Sequence, residues 1–263
     1  MRNAAPTRIV ITGASAGLGR ALALAYARPG IVLGLIGRNA VEINATAAAC
    51  VARGATIEIG RLDVRIATAT ADWLVDFDTR HPIDLVIANA GVASTIASAS
   101  DWEDLTRTTT VVNTNFYGAM HTVLPVVERM RVRKRGRVAM VSSIAALRGM
   151  AISPAYCASK AAIKAYGDSV RPLLARDNVG ITVILPGFVK SAMSDVFPGD
   201  KPFIWTAERA AAYIRTHLDA GRSEIAFPGT LAFGMRVLPL LPAALADWIL
   251  GRLSYLPRED ASN

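Results

Sequence analysis

The sequence predicts an α/β fold: a doubly wound, mainly parallel seven-stranded sheet with helices on both faces, followed by an apolar helical extension. Three observations carry this expectation. Seven apolar runs of strand length alternate with segments of helical length. Several runs are almost continuously apolar, as strands buried on both faces must be. Strand, helix, strand repetition then calls for right-handed crossovers. The chain has 263 residues and no Gly/Ser/Pro linker or low-complexity break, so one domain over 1–263 is expected, with a core at about 7–230 and the extension at about 230–256. Apolar residues make up 52% and charged residues 19%, a balance that supports a buried core and excludes a disordered chain.

In chain order, the strands are expected at RIVITG (8–13), IVLGLIG (31–37), TIEIGRLDV (56–64), DLVIANAG (84–91), RVAMVSS (137–143), ITVILPG (181–187) and SEIAFPG (223–229). Before the first of these no apolar signal region or small-residue cleavage site is found, so no secretory signal is expected. Cys50 and Cys157 are too few for a disulfide framework, and a reducing, cytoplasmic setting follows. The net charge of +8 is concentrated in RMRVRKRGRV, which carries Arg129, Arg131, Arg133, Lys134, Arg135 and Arg137. Such a run can bind nucleic acid or an anionic membrane, but no aromatic residues interleave as a stacking platform requires. It reads as a solvated turn between helix and strand, with no nucleic-acid partner.

Ligands of such sheets bind at the carboxyl ends of the strands. There the sequence places TGASAGLG, GRN, DV, NAG, SS and PG. In TGASAGLG, Gly13 permits a tight turn, Gly17 lets the backbone approach a pyrophosphate, and Gly19 allows close helix packing, with helix N–H groups offered to the anion. A dinucleotide site is the expectation. An NAD site usually has an acidic residue at the end of the second strand, but here Gly37 and Arg38 stand there. Arg38 could fork a 2′-phosphate, so NADP(H) is favoured and NAD(H) remains possible.

Pro154 suits the first turn of a helix over about 154–176, Ser153 could cap it, and Pro172 could kink its end. On that helix Tyr156 and Lys160 are i, i+4 neighbours, with Lys164 one turn further. A phenol titrates near 10, so an adjacent ammonium that lowered this value would fit it for proton transfer with a carbonyl or alcohol. Cys157 between them has no histidine nearby and reads as a packing residue. His81, His121 and His217 are scattered, and no metal is expected.

Together, Thr12 to Gly19, Asp63-Val64, Asn89-Ala90-Gly91, Asn115 in NTNFYG, Ser143, the YCASK stretch from Tyr156 to Lys160, and Pro186-Gly187 resemble the short-chain dehydrogenase/reductase family over about 7–230. The resemblance implies a Rossmann-type fold and hydride transfer between a nicotinamide and a ketone or secondary alcohol. Tyr156 would be the general acid/base, Ser143 would hold the substrate oxygen, Lys160 would contact the nicotinamide ribose and tune the tyrosine, and Asn115 would hold a relay water. Ser142 should face away, because successive strand residues alternate. The cofactor would lie along Thr12, Gly13, Ser15, Ala16, Gly17, Leu18 and Gly19. Asp63 and Val64 would meet adenine, Asn89, Ala90 and Gly91 would follow the central strand, and Pro186, Gly187, Val189 and Ser191 would line the carboxamide. Many NADP(H)-dependent relatives carry a basic residue where Ala16 stands, which leaves Arg38 as the basic ligand with Ser15 and Asn39 as neutral helpers.

The segment after Gly187 resembles the family's substrate lid. Met193, Val196, Phe197, Phe203 and Trp205 would supply an apolar lining, with a turn at Pro198-Gly199. An apolar carbonyl or alcohol is the expected substrate. The extension from 230 to 256, too apolar for a free tail, could cover the substrate cleft, pad an oligomer interface or rest on a membrane surface, with packing on its own subunit or a sister chain favoured. It is interrupted by Arg236, Pro239, Pro242 and Asp247 and cannot span a bilayer. A homodimer or homotetramer built on helices around 101–130 and 154–176 would be typical of the family. The competing readings are a catalytically idle dinucleotide-binding redox sensor and, within enzymes, an epimerase or dehydratase, which would normally need a larger C-terminal domain.

Overall fold

The computed structural model describes residues 5–98, 100–197 and 201–252. The expected turn at Pro198-Gly199 and the last residues of the extension, Leu253 included, lie outside them. The strands are β1 (Arg8–Thr12), β2 (Val32–Ile36), β3 (Thr56–Gly60), β4 (Leu85–Ala88), β5 (Gly136–Val141), β6 (Val179–Pro186) and β7 (Glu224–Phe227). They form one sheet in the order β3-β2-β1-β4-β5-β6-β7. Every neighbouring pair is parallel. The order reverses direction between β1 and β4, which opens the crevice where such sheets bind ligands.

Alternation along the central strands feeds two cores. Ile9 and Ile11 of β1 pack with α1 (Gly17–Tyr26), α2 (Ala40–Val51) and α8 (Ala207–Asp219). Val10, Val86 and Val138 face α3 (Ala67–Arg80), α5 (Gly118–Val132) and α6 (Pro154–Ala175) on the other side. Both faces are therefore buried, and this is why β1 and β4 read as unbroken apolar runs. Between β4 and α5 lies α4 (Leu105–Val112), continued into α5 by a π-turn over Asn113–Tyr117. The lid contains the short α7 (Ala192–Asp195), and the chain closes with α9 (Gly229–Val237) and α10 (Ala243–Arg252).

Two expectations need correction, and a third gains detail. β3 ends at Gly60 instead of 64, because the carboxylate of Asp63 accepts the Arg65 amide and its carbonyl accepts the Ile66 amide, turning the chain out of the sheet. Ser153 does not cap α6: its hydroxyl donates to the Ser94 carbonyl at 2.5 Å. The Glu103 carboxylate, far away in sequence, accepts the Ala155 amide at 2.7 Å in its place. The basic run is the expected exposed turn between α5 and β5, but its charges are paired. Arg129 and Arg133 bracket the buried Asp78 at 2.5 and 2.8 Å, Arg131 and Lys134 pair with Asp177, and Arg135 pairs with Asp84. This clasp ties the end of α5 to the amino ends of the strands, opposite the ligand crevice.

The extension packs on its own subunit. Ala232, Met235, Leu238, Ala246 and Leu250 join Val183 and Leu185 of β6 in a separate core, while Phe233, Leu240 and Trp248 stay exposed. Among the described residues no helix is long and apolar enough to cross a membrane.

Candidate active site

The crevice begins with the turn from β1 into α1. Gly13 and Gly17 have φ of +68° and +52°, conformations that side chains rarely adopt. A Cβ on Gly13 would come within 2.8 Å of the Ala90 backbone, so glycine is also needed for space. The Thr12 hydroxyl accepts the Asn89 and Ala90 amides, each at 3.1 Å, and the Asn89 side chain returns a bond to the Thr12 carbonyl at 3.0 Å. These bonds lock β1 to β4 beneath the turn. No side chain caps α1 and its first turn holds no acid, which leaves its N–H groups free to receive an anion.

A continuous cleft of about 720 Å³ runs from this turn in both directions. It is lined by Ser15, Ala16, Leu18, Arg38, Asn39, Asp63 and Val64, by Gly91 beside Asn115 and Lys160, and by Pro186, Gly187, Val189 and Ser191. The glycine cradle, the uncapped helix and the elongated shape fit a dinucleotide. At its adenosine end, Arg38 Nη1 lies 3.4 Å from Asp63 Oδ2. Arg65, absent from the expected site, forks the same carboxylate at 3.0 and 2.7 Å. Hydrogen bonds from Arg65 hold the Asp63 carboxyl down at about 2. Asn39 is less free than expected, because its Oδ1 caps α2 by accepting the Val41 and Glu42 amides.

At the opposite end α6 delivers Tyr156 and Lys160, both buried. Lys160 Nζ donates to the Val141 carbonyl at 2.9 Å and sits 5.7 Å from the Tyr156 ring centre. Burial lowers the lysine to about 8. Burial also pushes the tyrosine up to about 12, with a hydrogen bond to the Ser143 hydroxyl working the other way. In the protein alone, burial outweighs that hydrogen bond and holds the phenol above its ordinary value. The two serines diverge as strand alternation demands. Ser142 donates to the Lys160 carbonyl at 2.7 Å, on the helix side, while Ser143 lines the cleft, its hydroxyl accepting the Ala145 amide at 3.1 Å and lying 3.4 Å from the Pro186 carbonyl. Asn115, placed by the π-turn, is fully buried; its amide accepts from Val92 N at 2.8 Å and donates to Val92 O and Ser159 Oγ at 3.0 and 2.9 Å. That side chain braces the frame beside the lysine. Burial raises the Cys157 thiol, so it offers no thiolate.

Around Ser143 and Tyr156 the wall is apolar: Met150, Phe188, Met193, Phe197, Leu231 and Met235. Phe197 meets the Tyr156 ring edge-on at 5.6 Å. Of the expected lid residues only Met193 and Phe197 contribute. Val196 and Phe203 are exposed, and Trp205 is drawn into the core, stacked on Phe227 at 4.8 Å. Met150 carries no local signal that could have marked it. Leu231 and Met235 do stand i, i+4 on α9, but nothing in their spacing says which surface that helix covers.

Comparison with known proteins agrees with this fold. Residues 7–201 match the family described as short chain dehydrogenase. An uncharacterized oxidoreductase of Myxococcus xanthus is 38% identical over 246 residues, 93% of this chain and 96% of that protein. An alcohol dehydrogenase from Thermococcus sibiricus, complexed with 5-hydroxy-NADP, superposes with a TM-score of 0.74 at 23% identity, covering 84% of this chain and 95% of that one. A short chain dehydrogenase from Mycobacterium paratuberculosis bound to NAD gives 0.73 at 19%, covering 83% and 94%. At those identities the two structures speak for the fold, while the sequence matches speak for kinship. The chain belongs to the short-chain dehydrogenase/reductase family of NAD(P)-dependent oxidoreductases.

Proposed function

We propose that the protein is an NADP(H)-dependent oxidoreductase that interconverts an apolar ketone and a secondary alcohol, with Tyr156 as general acid/base. The observation that carries this reading is the meeting of Ser143, Tyr156 and Lys160 at the apolar end of a cleft whose other end presents Arg38. A nicotinamide bound in this cleft would supply the hydride for the carbonyl carbon in the reducing direction. Ser143 and Tyr156 hold the carbonyl oxygen, and the phenol gives it the proton that completes the alcohol. Lys160 resupplies the tyrosine, through a water that Asn115 helps to hold. Arg38 receives the 2′-phosphate. Met193, Phe197, Leu231 and Met235 exclude water and favour an uncharged substrate.

Homo-oligomerisation through α4, α5 and α6, where Leu105, Leu124, Val132 and Leu173 are exposed, and a reducing cytoplasmic setting for the two buried free cysteines complete the proposal. The test is cofactor titration with a panel of ketones. NADPH should be bound more tightly than NADH and consumed faster with apolar ketones than with small charged ones. Preference for NADH sinks the cofactor assignment and leaves the same enzyme class using NAD(H); no consumption of either cofactor with any ketone leaves an idle dinucleotide-binding protein.

A further inference from the structure

We propose that Arg65 is a positioning residue for NADP(H) selectivity, acting through Asp63 to keep Arg38 available for the 2′-phosphate; this rests on the NADP(H) reading above. Asp63 Oδ2 is the shared point of the cluster. Arg65 reaches it with Nε at 3.0 Å and Nη2 at 2.7 Å, and Asp63 Oδ1 accepts the Arg65 backbone amide at 3.0 Å. Arg38 touches the same oxygen with one nitrogen at 3.4 Å, beyond the usual range for a strong N–H···O bond. Its side chain is 58% exposed. The carboxylate is therefore committed to Arg65, while Arg38 is only loosely tethered and can turn toward an incoming dianion.

Charge reinforces geometry. Asp63 lines the cleft, where an uncompensated carboxylate would repel a phosphate; Arg65 does not line it. With Arg65 present the trio of Arg38, Asp63 and Arg65 carries one net positive charge. Without Arg65 it is neutral, and Asp63 has Arg38 as its remaining partner. Loss of Arg65 should then penalise a 2′-phosphate through both the lost field and the diverted Arg38, while a nucleotide lacking that phosphate feels neither. Because these groups are partly solvated and screened, the effect should be several-fold and no more.

The test is calorimetric binding of 2′,5′-ADP and 5′-AMP at low and at 0.5 M salt, which reads affinity without turnover. Wild type should bind 2′,5′-ADP more tightly. Arg65→Gln should reduce the ratio of the two affinities about fivefold at low salt and less at 0.5 M. Arg65→Lys, which keeps the charge without the fork, should recover part of it. An Arg65→Gln ratio equal to that of wild type overturns the inference while leaving the NADP(H) reading intact. A wild-type ratio near one overturns the NADP(H) reading itself. Should Arg65→Gln fail to fold, the Arg65→Lys ratio decides: equality with wild type at both salts overturns the role of the fork.

Discussion

Lys160 is the residue at which burial and chemistry pull hardest against each other. Its ammonium is held in the protein interior at about 8, against an ordinary value of 10.5. Because the folded value is the lower one, the unfolded chain binds more protons between pH 8 and 10.5, and stability rises with pH across that window. Below pH 8 the full penalty stands, at most about 3 kcal/mol for a shift of this size. Lys160→Met should consequently be more stable than wild type at pH 7, less the cost of leaving the Val141 carbonyl unpaired, and the gain should fade as pH rises toward 10.5. Urea unfolding at pH 7 and pH 10 measures it; a gain that does not shrink with pH contradicts the assignment. The i, i+4 spacing makes the Tyr156–Lys160 pair legible in the sequence. The direction of the Tyr156 shift is not, since it depends on how completely Phe197 and the lid remove water. Ser153 shows the same limit: it is a fitting cap by type, but Glu103 arrives from a distant loop and takes the amide.

At the scale of elements, the central strands are readable as unbroken apolar runs because both their faces are buried, while the edge strands β3 and β7 show the weaker mixed patterns of half-buried strands. The pairing at the end of α5 is not readable, because its arginines look solvated until the fold brings Asp78 and Asp177 to them. Burial works to raise the Asp78 carboxyl, but hydrogen bonds from Arg133 and Arg129 prevail and hold it below the usual carboxylate range. Asp78→Asn should therefore cost about 3 kcal/mol at neutral pH, toward the low end for a broken buried pair because the two guanidiniums are partly exposed. The loss should vanish as pH falls through the folded value, where wild type too is protonated. A urea midpoint unchanged at pH 7 would show the clasp to be ornamental. The extension gives a matched pair: Leu250→Ala, emptying a site that is 6% exposed, should cost about 2–3 kcal/mol, whereas Trp248→Ala, at 55% exposed, should stay within about 0.5 kcal/mol. Equal losses from the two would mean that α10 is seated on its other face.

Across the whole molecule, the site is assembled from pieces that lie far apart in sequence but close in the topology. The reversal of strand order between β1 and β4 sets the cradle beside Asn89. β5 brings Ser143, α6 brings Tyr156 and Lys160, and β6 leads into the lid. The polar part of this cleft is legible because each group sits at a strand end or helix start, where short motifs mark it. Its apolar wall is not: Met150, Leu231 and Met235 meet in one cleft only through tertiary packing. The family match ends at residue 201, short of Leu231 and Met235, so the wall they supply lies beyond the matched segment. The central claim is that this cleft performs carbonyl reduction with the Tyr156 proton. Its most direct test is NADPH consumption with an apolar ketone by wild type and Tyr156→Phe, alongside NADPH affinity for each. The account predicts that the variant binds NADPH within a few-fold of wild type yet loses at least about a hundredfold in turnover, the worth of a positioned general acid. Turnover by Tyr156→Phe equal to that of wild type would contradict it.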